Sequence, residues 1–195
     1  MTLFRIILAC QLAIALPVAA YAQQGDARAE SYAALHAQDQ RLAAIADNIL
    51  QANAPLCRST MPVTGMILHS ADQYAEPIEG WFADGDIAVS ALVPGSAAEL
   101  SGLQENDAIT GIGGVSSSSL AIVEGEPRRD TIFDWIAQST PHSTLEIAYP
   151  RYGKDYLATL AAPVGCRALV EVLADTGRIA RSNGKVVQIS YGIAA

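Results

Sequence analysis

The chain has 195 residues, a formal net charge of −8 and only 16% charged residues, which leaves room for one ordinary domain with flanking pieces. Hydrophobic residues make up 51%, enough for a packed core and too many for long disordered stretches. The acidic balance argues against nucleic-acid binding, because no Lys/Arg cluster is present to displace counterions.

Residues 1–22 read as a secretory signal peptide. Arg5 supplies a positive start, residues 6–20 form an apolar run broken by Pro17, and Ala20-Tyr21-Ala22 fits the small-x-small pattern before a cleavage site. The run is short for a membrane span, although an uncleaved anchor is the alternative. Cys10 lies inside this run and reads as filler. The mature protein is expected to start near Gln23, to be periplasmic or secreted, and to carry no further segment able to span a bilayer. Export leaves Cys57 and Cys166 in a compartment where disulfides persist. A Cys57–Cys166 disulfide is predicted, the alternative being two separate thiols.

Residues 23–61 form an N-terminal helical segment. Across 26–52, Tyr32, Leu35, Leu42, Ile45, Ile49 and Leu50 recur at helical steps, and Pro55 follows as a stop. An apolar face made this way must dock, and its polar face is not basic enough to suggest a membrane surface. Strands are predicted at 66–69 and 87–93. Pro94-Gly95-Ser96 then turns into a short helix, 97–100, ended by Gly102. Another strand, 107–112, closes at Gly113-Gly114, and a polar loop leads to a helix over 131–139 with Asp130 as its N-cap. Segments 144–149 and 156–160 read as a hairpin around Gly153-Lys154. Residues 164–195 are predicted to form a C-terminal β-hairpin, with strands 168–173 and 185–190 and the tight-turn pair Asn183-Gly184.

No enzyme constellation emerges. Ser96 caps a helix and lacks the flanking glycines of a hydrolase elbow, and His69 with Asp72 reads as a polar strand end. Glu124, Glu126 and Asp130 form a solvated loop without calcium-ligand spacing. No catalytic residue, metal or cofactor is expected.

The run from Gly85 to Gly114, with Pro94-Gly95-Ser96, Ala97-Ala98, Gly102-Leu103, Asp107 and Ile109 in order, resembles bacterial PDZ domains of the HtrA type. The resemblance covers roughly residues 65–163. It implies an α+β fold, a PDZ-like partly open β-barrel with two helices, preceded here by an amphipathic helix and followed by a hairpin. It also implies that an extended peptide adds as a strand beside 87–93 and the helix 131–139. On that basis Gly85, Asp86, Ile87, Ala88, Val89, Thr131 and Trp135 are the peptide-binding residues, with Gly85 offering N–H groups to a terminal carboxylate. Asp84 and Asp86 oppose such a carboxylate, so internal segments are the better ligands.

A helical segment, a cysteine, the PDZ-like region, Pro163-Val164-Gly165-Cys166 and a hairpin also resemble the front half of exported zinc metallopeptidases of the HtpX and BepA kind. There a His-Glu-x-x-His helix follows. His36, His69 and His142 stand in no such spacing, so no ligand is carried over. The expected function is an exported, non-catalytic peptide- or protein-binding module. The alternative is the N-terminal fragment of a metallopeptidase whose catalytic segment is missing.

Overall fold

The computed structural model describes residues 30–76, 78, 80–139 and 143–195. The signal-peptide reading of 1–22 and His142 lie outside the described residues. The chain divides into two units, 1–35 and 36–195. In the first, residues 30–35 are helical; everything below concerns the second.

Helix α1 (residues 36–52 of this unit) stops where Asn53 bonds back to the Ile49 carbonyl through its side chain (2.8 Å) and its backbone N–H (3.1 Å). Pro55 then has no N–H to continue the ladder. The apolar periodicity places the inner face of this helix only in part: Leu42 and Leu50 are partly buried as expected, and Ile45 and Ile49 are not. Ile45 and Ile49 are 52% and 57% exposed, while Asp39, Ala43, Ala46, Asp47 and Leu50 face inward.

Strand β1 (Thr60–Pro62) pairs antiparallel with β8 (Val164–Cys166), Thr60 opposite Cys166. That pairing brings Cys57 and Cys166 to a Cα–Cα distance of 5.5 Å, within disulfide reach, and their sulfurs are bonded. Strand β2 (Met66–Ser70) pairs antiparallel with β3 (Ile87–Leu92), with a register shift between Ile67 and Leu68. Strands β4 (Gly111–Ile112), β5 (Val115–Ser116), β6 (Leu145–Arg151) and β7 (Lys154–Leu160) form one antiparallel sheet in the order β5-β4-β6-β7. Its two tight turns are Gly113-Gly114 and Tyr152-Gly153. All four residues have positive φ, as turns matching the strand twist require. The second of these sits one residue earlier than the pair read from the sequence.

Helix α2 (Ala97–Leu100) is capped by Ser96, whose Oγ accepts the Glu99 N–H at 3.3 Å, while Glu99 accepts the Gly95 N–H at 2.6 Å. Helix α3 (Arg128–Gln138) begins three residues before the predicted start. Asp130 is not its cap: Asp72 accepts the Arg128 N–H at 2.9 Å and Ser70 Oγ accepts the Arg129 N–H at 3.2 Å. The cap therefore comes from the end of β2, which fixes the helix start against that strand. Ile112, Ile132, Ile147, Leu160 and Val89 fill the centre, each at most 1% exposed.

The C-terminal region is not the hairpin predicted from its sequence. Strand β9 (Leu169–Leu173) runs parallel to β11 (Val186–Ser190), and β10 (Ala180–Ser182) pairs antiparallel with β11 on its other side. Asn183-Gly184 turns β10 into β11, so the tight turn is where its residues predict, and the strand that enters it is Ala180–Ser182 and not 168–173. A short helix, α4 (Tyr191–Ala194), follows β11. Ion pairs tie this sheet to α3. Arg129 meets Glu171, and Asp134 receives Arg167 at 3.0 Å and Lys185 at 2.7 Å.

Candidate functional site

Strand addition needs a β edge with unpaired backbone groups. Strand β3 does not offer one. Beyond β2 on one side, its other edge is held by Val89 N–H to Asp107 O (3.0 Å), Asn106 N–H to Val89 O (2.8 Å) and Ile109 N–H to Ile87 O (2.8 Å). Ile87, Ala88 and Val89 are 3%, 1% and 0% exposed. Gly85 and Asp86 lie beside the Ser70 end of β2, where Asp86 O accepts the Ala71 N–H at 2.9 Å.

The open edge is that of β2, whose only strand neighbour among the described residues is β3. It faces α3 across a groove with an empty volume of about 850 Å³, including space open to solvent. Met66, Ile67 and Leu68 form one wall, Phe133 and Ile136 of α3 the other, and α1 and β9 flank the opening. Gly65 starts the wall in a left-handed conformation (φ 73°). Its carbonyl accepts the Val93 N–H at 2.8 Å, which holds the entry to β2 against the end of β3.

Of the α3 residues chosen from the sequence, neither side chain bonds into the groove. Thr131 Oγ1 donates to Ala121 O (3.2 Å) and Trp135 Nε1 to Ile112 O (3.2 Å). Both tie α3 to the loop and sheet instead. The groove-lining positions on this helix are Arg129, Phe133 and Ile136, one helical face by their spacing.

Charge in the groove comes from α1, α3 and β9. Asp39 accepts the Val172 N–H at 2.6 Å, yet burial pushes its carboxyl up to about 6. Asp47 is also raised to about 6 by burial. Burial weighs against the Arg129 charge, but Glu171 and Asp130 outweigh it and hold the guanidinium above its ordinary value.

A second cluster sits at the far end of β2. His36 Nε2 and His69 Nδ1 both hydrogen-bond the Tyr74 hydroxyl, at 3.1 and 2.9 Å. Trp81 stacks on His36 (4.8 Å between centroids) and Phe82 lies over His69 (4.4 Å). Burial lowers His69 to about 3 and also lowers His36. Asp72, the imagined partner of His69, is instead the α3 cap. The cluster therefore packs neutral imidazoles under aromatic rings, and His36 and His69, 33 positions apart, meet only through the tertiary fold.

Residues 65–124 match the family model described as PDZ domain. This segment of the chain is PDZ-like. The matched segment begins at Gly65 and takes in β2, β3, α2, β4 and β5; α3 lies beyond it. PDZ domains are peptide-binding modules and are not themselves catalytic. Among solved structures, the HtrA3 PDZ domain bound to a phage-derived ligand (FGRWV) is similar at 19% identity, covering 54% of this chain and 88% of that one, with a TM-score of 0.36. A PDZ domain protein from Parabacteroides distasonis is 13% identical over 56% of this chain and 21% of that one, TM-score 0.40. The HtrA-type protease AlgW with a decapeptide is 20% identical over 55% and 30%, TM-score 0.37. The chain thus spans less than a third of those last two proteins. At these scores the likenesses carry no functional weight. No curated protein matches the chain in sequence.

Proposed function

We propose that this protein is an exported, non-catalytic peptide-binding module, in which an extended peptide adds to the open edge of β2 and rests its side chains against α3. The observation that carries the reading is the groove itself: among the described residues β2 has β3 as its strand neighbour, and its other edge borders a largely apolar trough against α3. The PDZ match to residues 65–124 supports the class of ligand, and the signal-like start with the Cys57–Cys166 bond supports export. The metallopeptidase-fragment alternative draws its support from the order of sequence segments alone.

A groove-filling substitution tests this. Ala43 lines the trough from α1, and Ala43→Phe should weaken binding of blocked, randomised heptapeptides, read by fluorescence anisotropy, while the melting temperature stays within a few degrees. Unchanged peptide binding in a folded Ala43→Phe protein would place the ligand elsewhere.

A further inference from the structure

Four charged residues line the groove: Asp39 and Asp47 from α1, Arg129 from α3 and Glu171 from β9. Three of them have partners. Arg129 is ion-paired with Glu171 and Asp130, and Asp39 accepts the Val172 N–H. Asp47 differs: its side chain is half-buried, and among the described residues no hydrogen bond or ion pair reaches its carboxylate. The lining residues one helical turn to either side of it, Ala43 and Leu50, are apolar. An unpartnered carboxylate in such surroundings is costly, and the raised value of its carboxyl is the expected sign of that cost.

A cation from a ligand would supply what the protein does not. With Arg129 already committed, the remaining lining charge is negative, and the chain as a whole carries −8, so the field also favours a cationic partner. The apolar walls suit the aliphatic stem of a long basic side chain, whose charged end alone needs a polar receiver. An acidic side chain or a free terminal carboxylate would instead add like charge beside Asp47. We infer that the groove selects extended peptide segments carrying a lysine or arginine side chain, whose cation is received by Asp47. This rests on the peptide-binding reading and adds to it a residue that sets specificity.

Two pools of acetylated, amidated heptapeptides provide the test. Both are randomised over Ala, Val, Leu and Thr, with a central lysine in one and norleucine in the other. Wild type should bind the lysine pool at least about tenfold tighter, as a charge-assisted contact in a partly dry site requires. Asp47→Asn keeps the shape and should bind both pools alike, while Glu105→Gln, an exposed carboxylate outside the groove, should keep the preference. Equal binding of both pools by wild type would overturn the cation assignment and leave peptide binding standing. So would a preference that survives in Asp47→Asn. Binding of neither pool would overturn both.

Discussion

Replacing Asp39 by asparagine should stabilise the protein near pH 8 and change it little near pH 4. Burial raises the Asp39 carboxyl from 3.8 to about 6, so between those values the folded state binds more protons than the unfolded state. Stability contributed by this group is then complete below 3.8 and is lost as the pH rises through 6. Each pH unit of separation is worth about 1.4 kcal/mol, so the native state carries a cost of about 3 kcal/mol once Asp39 is ionised. Asparagine never ionises, and its carbonyl can still accept the Val172 N–H that Asp39 accepts at 2.6 Å. Urea unfolding of wild type and Asp39→Asn at both pH values gives the difference directly, and contributions from His36 and His69 cancel between the two proteins. The expected gain is about 1–3 kcal/mol near pH 8, shrinking to a few tenths near pH 4. A difference that does not depend on pH, or a loss near pH 8, would refute the reasoning.

Other perturbations act on the frame around the groove. Cys57→Ser opens a bond between residues 109 apart and should cost roughly 4–5 kcal/mol in the chain-entropy account; unchanged unfolding energy under non-reducing conditions would contradict it. Gly65→Ala should cost about 2 kcal/mol or more, because φ is 73° and the added Cβ would overlap Ser96 Cβ and lie 2.5 Å from Ser96 Oγ. Thermal melting checks this, and an unchanged melting temperature would mean that the entry to β2 is looser than described.

Local signals carried much of the fold. Pro94-Gly95-Ser96 and Gly102 bound α2 where the sequence places it, and the two glycine-bearing turns of the β5-β4-β6-β7 sheet follow from residues that tolerate positive φ. What failed were choices among strands and faces. The run Ile87–Leu92 is buried throughout, which marks a strand enclosed on both sides and not a groove wall, whereas Gly65 followed by Met66-Ile67-Leu68 was read only as a strand. The partner of a strand is a long-range matter: Asn183-Gly184 named a turn correctly but could not show that β9 lies parallel to β11. Asp39 and Asp47 were invisible as site residues because helical periodicity assigns acids to the solvent side. Ile45 and Ile49 were put inside for the same reason. The α3 cap is not local: its acceptors, Ser70 and Asp72, come from another element, which no spacing within the helix can show.

The central claim is that a peptide adds to β2. Amide hydrogen exchange with and without a saturating blocked peptide pool tests it most directly, since strand addition must bury backbone N–H groups. The protein has a rival edge in β7, where Tyr156 and Leu157 are 42% and 60% exposed. Slowed exchange confined to Met66–Ser70 and the facing turns of α3 is the predicted result; protection along Lys154–Leu160 with β2 unchanged would contradict it.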